Sequence, residues 1–266
     1  MSETLTVEQA LQRALAHYRA GEVAEAAAIY QAIVQVAPFH PVAQRNLQIL
    51  WHNEALKKEP DQVFRVLRRW REEGWRPRAL LDIGANLGEF TQKFVALFPE
   101  CRPTLIEPNP HCLPVLRETG YRVLPVAASR LNGTAELYLT KEWPQSTGAS
   151  LYRENTSFFR DEVVTTTTIT TARLDDLLPD EVFDFIKIDV QGSELDVLTG
   201  GECLVGKAGF VLIEVSLVEY NRGSSLPEFL IDKLEALGFA WSRPVQFHRM
   251  DETLTQIDFL FKKAGL

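Results

Sequence analysis

The sequence contains no apolar run approaching the roughly 20 residues that a membrane-crossing helix needs, so no membrane span is expected. Its opening residues, Met1-Ser-Glu-Thr-Leu-Thr6, lack the basic region and apolar core of a secretory leader. Cysteine is scarce. Cys101, Cys112 and Cys203 are odd in number and scattered, with neither a metal-ligand spacing nor a disulfide framework. They read as small core fillers in a reducing, cytoplasmic compartment. Positive charge is short as well: 28 Lys and Arg against 36 Asp and Glu give a net charge of −8. That balance excludes nonspecific nucleic-acid binding by the whole chain. What remains is an ordinary globular composition, 45% hydrophobic over 266 residues, enough for a core and one or two domains.

The organising stretch runs from Arg78 to Thr91. Ala79 to Ile83 is a short apolar run of the buried-strand type. Gly84-Ala-Asn-Leu-Gly88 makes a small-residue turn, and Glu89 to Phe98 reads as a helix stopped by Pro99. Strand, glycine turn and helix form the first half of a nucleotide-binding βαβ unit. A third glycine is missing, so the loop falls short of the G-x-G-x-x-G that seats a pyrophosphate. Asp82, just before the turn, would repel one. An acid there suits a ligand with a cationic end and no phosphate, and S-adenosylmethionine is such a ligand. Glu107 ends the next apolar run, where an acid can accept both ribose hydroxyls. Candidate cofactor contacts are therefore Asp82, Gly84, Ala85, Asn86 and Gly88 of the first turn. Glu107, Pro108 and Asn109 of the second follow. Ala128 and Ser129 come after the third strand, where small side chains leave room for a flat base.

Before this unit, residues 1–50 are alanine-rich with a helical period. Ala14, Gly21, Ala26, Tyr30, Ile33 and Pro38 fall where a tetratricopeptide repeat has its signature residues. Two antiparallel helices are expected, at about 7–19 and 22–36, followed by an incomplete repeat from Pro41. One such unit needs a partner surface: the next domain, another copy, or a recruited protein. Residues 51–78 read as a helical connector with an apolar stripe of Val63, Leu67 and Trp70 and a basic face, which is a solvated surface or a receiver of an anionic substrate. Residues 79–266 make the third region.

Within that region, Phe183–Asp189 and Phe210–Glu214 are further buried strands that end in acids. Asp82, Glu107, Asp189 and Glu214 should thus share the carboxyl edge of one sheet, where open α/β sheets bind ligands. Residues 141–162 are polar and aperiodic, as expected of a flexible cover near the site. Phe239–Trp241 and Ile257–Phe261 should close the sheet as an antiparallel pair.

From residue 78 on, the sequence resembles the FkbM family of S-adenosylmethionine-dependent methyltransferases. The resemblance rests on LLDIGANLGEFT at 80–91, IEPNP at 106–110, ARLDDLL at 172–178, FDFIKIDVQGSELDVLTGGE at 183–202 and LIEVS at 212–216. It implies an α/β, Rossmann-like fold with a mostly parallel, seven-stranded sheet. It also implies O-methylation of a hydroxyl on a sugar, glycan or secondary metabolite, so the expected partner is a small-molecule or glycan acceptor. Gln191 departs from the commoner pattern, which has an acid before the glycine.

Methyl transfer needs alignment and a base for the acceptor proton. Asp189 is the first candidate and Glu214 the second, with Glu194 and Lys187 beside them; Asp189 also touches the cofactor site. Lys187 and Asp189, two apart on a strand, point to one face. Alternatively, Asp189 and Glu214 hold a divalent cation, magnesium or calcium, that lowers the acceptor's pKa. The histidines are dispersed; only His248 is a candidate contributor to an acceptor pocket, and a purely structural role is the preferred reading for it. A nicotinamide-dependent oxidoreductase and a non-catalytic scaffold stand as competing readings.

Overall fold

The computed structural model describes residues 5–19, 22–37, 42–43, 46, 62–155, 159–219, 221–250 and 253–266. The expected bend at Gly21, the stop at Pro38, most of the incomplete repeat after Pro41 and the connector up to residue 61 lie outside them. The chain divides into two compact units, Met1–Arg65 and Val66–Leu266. The division falls inside the stretch that the sequence marks as a connector.

In the first unit, α1 (Val7–Arg19) and α2 (Val23–Val36) pack on one another. Thr6 and Gln9 start α1 with a reciprocal capping box: the Gln9 N–H donates to Thr6 Oγ1 at 3.2 Å and the Thr6 N–H to Gln9 Oε1 at 2.9 Å. Ala14 and Ala26, both fully buried, let the helices approach, and Leu11, Tyr30 and Ile33 fill the seam. Of the residues singled out for their repeat-like spacing, Ala14, Ala26, Tyr30 and Ile33 are described, and all four are buried.

Helix α3 (Gln62–Glu72) spans the division, and its part within the second unit delivers Trp70 onto Phe210, with ring centroids 4.3 Å apart. Trp75 then packs edge-on against Phe94, Phe98 and Phe210. The arginines Arg65, Arg68, Arg69 and Arg71 are exposed, so this part of the basic stretch is a solvated helix face. The chain continues through β1 (Ala79–Ile83), α4 (Glu89–Leu97), β2 (Arg102–Ile106), α5 (Leu113–Glu118), β3 (Arg122–Leu124), β4 (Ala127–Ala128), β5 (Gly133–Thr140) and β6 (Val164–Ala172). Then come α6 (Leu174–Leu177), β7 (Phe185–Ile188), α7 (Glu194–Gly200), α8 (Glu202–Gly206), β8 (Phe210–Ser216), α9 (Pro227–Ala236), β9 (Phe239–Met250) and β10 (Thr253–Lys263).

Seven strands form one sheet in the order β3-β2-β1-β7-β8-β10-β9. All its pairings are parallel except those of β10, which runs antiparallel to β8 and β9. Order reverses between β1 and β7, which opens a crevice at their carboxyl ends. A second sheet, β4-β6-β5, is separate. The third strand is short, and beyond it Ala127 and Ala128 pair with Thr171 and Ala172 of β6 in that second sheet. The closing hairpin is far longer than its apolar core suggests. β9 lies at the sheet edge, where polar residues and even Pro244 are tolerated, so no clean alternation marks it in the sequence.

The turn after β1 dictates how closely the two central strands approach. Gly84 sits at φ +79°, and a Cβ there would lie 1.9 Å from the Asp189 carbonyl oxygen. Gly84→Ala should therefore cost about 2–4 kcal/mol of stability, by backbone strain plus overlap with main chain that cannot yield. Urea unfolding of the variant measures it.

Candidate functional site

The crevice at the strand reversal is lined by Gly84, Asn86, Glu107, Pro108, Ala127, Ala128, Asp189 and Gln191, among others. The loop after β5 supplies a further wall of Thr147, Ala149, Ser150 and Leu151. Of the sequence-derived contacts, Gly84, Asn86, Glu107, Pro108, Ala128 and Asp189 face the crevice. Asp82, Ala85, Gly88, Asn109 and Ser129 do not line it.

Glu107 is held from behind. Its Oε2 accepts the Asn86 N–H at 2.7 Å and its Oε1 the Asn109 N–H at 2.8 Å. Burial still dominates, and it pushes the carboxyl up to about 7 despite those two donors. Asn86 takes a left-handed conformation, φ 49°, that turns its N–H towards Glu107. Asn109, fully buried, is spent on structure: Oδ1 accepts the His111 N–H and Nδ2 donates to the Pro144 carbonyl at 2.6 Å.

The cover loop is pinned rather than loose along its described crevice side. Asn86 Nδ2 donates to the Gln145 carbonyl at 3.1 Å, and Ser150 Oγ to the Gln191 carbonyl at 2.6 Å. Tyr138 and Ser150 form a β-bridge. These contacts come from residues far apart in sequence, which is why polarity alone suggested mobility.

Asp82 lies beneath the crevice floor, fully buried. Its Oδ2 accepts from Thr91 Oγ1 at 2.6 Å, and Oδ1 faces Lys187 Nζ at 3.6 Å. Lys187 stands directly opposite Asp82 in the β1–β7 register and also reaches Asp189 Oδ2 at 3.1 Å. Burial alone would lower the Lys187 pKa, but Asp189 and Asp82 outweigh it and raise it, so the ammonium is locked on.

Asp189 has 33% of its side chain open, against 0% for Asp82. Desolvation pushes its pKa up, but Lys187 and the Gln191 amide overcome that and hold it below the ordinary value. Gln191, at φ 56°, donates one carboxamide nitrogen to Asp189 Oδ1 at 2.8 Å and to Glu214 Oε1 at 2.7 Å. The departure from the acidic pattern has a physical reason here: a donor is needed between two carboxylates, and a third acid would supply none. The carboxamide also stands between Asp189 and Glu214, the pair expected to share a magnesium or calcium ion. Glu194 is buried with its carboxylate on the backbone: Oε1 accepts the Val190 N–H at 3.2 Å and the Gly192 N–H at 3.0 Å. Burial raises it to about 7, and its role is to shape the turn that carries Gln191.

Glu214 lies deeper. Oε1 also accepts Gln256 Nε2 at 2.6 Å, and Oε2 faces His248 Nε2 at 3.8 Å. Burial, then repulsion from Asp189 and Asp258, raises its pKa well above the usual carboxylate range. Cys101 and Cys112 are buried thiols pushed up to about 12, as core fillers should be, whereas Cys203 is exposed. Among the described residues, no helix is long and apolar enough to cross a membrane.

Because Glu107 titrates near neutrality, a ligand whose hydroxyls donate to it should bind the ionised form. Affinity for S-adenosylhomocysteine should rise about tenfold from pH 6 to pH 8, with proton release on binding at the lower pH. Calorimetry in buffers of different ionisation heat measures both. Glu107→Gln should weaken binding and flatten the pH dependence.

Comparison with known proteins identifies the family. The chain is 30% identical over 173 residues to the 2-O-methyltransferase NoeI of Sinorhizobium fredii, covering 58% of this chain and 70% of that one. Among solved structures, a S-adenosylmethionine-dependent methyltransferase from Clostridium acetobutylicum matches at a TM-score of 0.46 and 10% identity, over 83% of this chain and 99% of that one. Magnesium protoporphyrin IX methyltransferase from Synechocystis matches at 0.44 and 7%, over 77% and 79%. The decisive match is the family model for the methyltransferase FkbM domain, which spans residues 82–241, more than half of the chain and the whole crevice. The chain belongs to the FkbM family of methyltransferases.

Proposed function

We propose that the chain moves the methyl group of S-adenosylmethionine onto a hydroxyl of a sugar, glycan or secondary metabolite, with Asp189 as the base. The observation that carries this reading is the state of Asp189: ionised, open to the crevice, and steadied on both oxygens by Lys187 and Gln191. Glu107 receives the ribose hydroxyls, and Ala127 and Ala128 leave space for the adenine. The sulfonium is an activated electrophile, so the acceptor oxygen attacks the methyl carbon as the carbon–sulfur bond breaks. The hydroxyl proton passes to Asp189, and the products are the methyl ether and S-adenosylhomocysteine. Glu214, pushed towards its protonated form and set behind Gln191, is the less available base. The 2-O-methyltransferase name of the relative supports an oxygen acceptor over a nitrogen or carbon one.

Asp82 contributes indirectly, by fixing Lys187 and the first turn of α4 through Thr91. The α1–α2 hairpin, which resembles a tetratricopeptide unit, serves as a surface for a protein partner or a second copy.

Asp189→Asn should lower kcat by about 100-fold or more, while affinity for S-adenosylhomocysteine stays within a few-fold. Mass spectrometry of a glycan and metabolite panel, read for the gain of one CH2, identifies the substrate on which to measure it. Normal turnover in that variant removes Asp189 from the role.

A further inference from the structure

Glu214, His248 and Asp258 sit on three neighbouring strands, β8, β9 and β10, and converge at the carboxyl edge of the sheet. Asp258 is directly opposite Glu214 in the β8–β10 register, which places two carboxyl groups side by side on one face. His248 Nε2 lies 3.2 Å from Asp258 Oδ1 and 3.8 Å from Glu214 Oε2, and one donor atom from each of the three residues falls within 4.8 Å of the other two. Ligands on a divalent transition ion, bound at about 2.1 Å, sit about 3.0–3.5 Å apart. The cluster therefore needs only side-chain adjustment to close on one.

A second feature distinguishes it from a chance gathering of acids. Glu214 Oε1 is occupied by two carboxamide donors, Gln191 at 2.7 Å and Gln256 at 2.6 Å. They fix the carboxylate plane with Oε2 turned to the imidazole, as outer partners of a ligating carboxylate do. Access exists on one side, since 24% of the His248 side chain and 18% of that of Asp258 are exposed. Around the cluster, Asp189 and Glu194 add negative charge and Lys187 supplies an ammonium.

We propose that Glu214, His248 and Asp258 form a divalent transition-metal site, with Mn2+ or Zn2+ as the fitting class. An imidazole nitrogen among the donors favours these ions over magnesium or calcium, which prefer oxygen alone. The site differs from a cation shared by Asp189 and Glu214, because Gln191 separates that pair. Gln191 instead ties the metal carboxylate to Asp189, so a bound ion steadies the crevice from behind. The assignment stands whichever acceptor the enzyme uses.

The test is titration of the chelator-treated full chain with MnCl2, and separately ZnCl2, by calorimetry, without cofactor. One ion per chain is expected, with affinity falling about tenfold or more in His248→Gln and in Asp258→Asn, and unchanged in His111→Gln. Pulsed electron paramagnetic resonance of the Mn2+ form should show coupling to an imidazole nitrogen. That spectrum needs no variant and keeps the question open to refutation should either substitution prevent folding. Absence of binding, absence of nitrogen coupling, or unaltered affinity in both ligand variants overturns the site and leaves an ion pair of protonated His248 with the two acids. None of these outcomes bears on methyl-donor binding, which is read separately.

Discussion

Lys187 brings its ammonium to within 3.1 Å of Asp189 and 3.6 Å of Asp82 at the point where strand order reverses. The carboxyl rim depends on that contact. Without it two acids on adjacent central strands would face each other in low dielectric, and at least one would take up a proton. A buried ion pair of this kind adds little net stability compared with an apolar replacement, but its loss leaves a charge stranded. Its value lies in keeping Asp189 ionised and aimed while Asp82 anchors Thr91 at the start of α4. Floor and working edge of the crevice are thereby parts of one electrostatic unit.

The four strand-end acids are not equivalent. Glu107 and Asp189 reach the crevice, whereas Asp82 and Glu214 stand behind it. Backbone N–H groups satisfy Glu107, an ammonium and a carboxamide satisfy Asp189, and two carboxamides satisfy one oxygen of Glu214. Burial pushes all three upward, and their different partners then spread the acidities. Asp189 is pulled down, Glu107 comes to rest near neutrality, and Glu214 is raised well above the ordinary carboxylate range. One rim thus holds acids ready for different tasks at a single pH.

The strand–turn–helix of 79–98, the buried strands and the gathering of acids at one edge were legible because each rests on local pattern: apolar runs, glycine turns and strand-end carboxylates. The depth of each acid was not. Whether a strand-end side chain faces the crevice or its floor depends on register with neighbours, as the Asp82–Lys187 pairing shows. Gln191 stood out only as a deviation, since its purpose needs Glu214, 23 residues away, to be visible. The detour of Ala127 and Ala128 into a second sheet was hidden because two alanines extend an apolar run equally well in either partner. The length of β9 was hidden by its edge position, and the approach of His248 to Asp258 with it.

Pro244 lies in that outermost strand, opposite Phe259, and the β9–β10 ladder shifts register nearby, between Asp258 and Phe259 and again between Leu260 and Phe261. A proline offers no hydrogen to a neighbour, and bulges bend the row of donors away from a straight line. A foreign strand seeking to extend the sheet would lose its match midway along. The irregularities that obscured this strand in the sequence thus also guard the folded chain against stacking edge to edge into polymers.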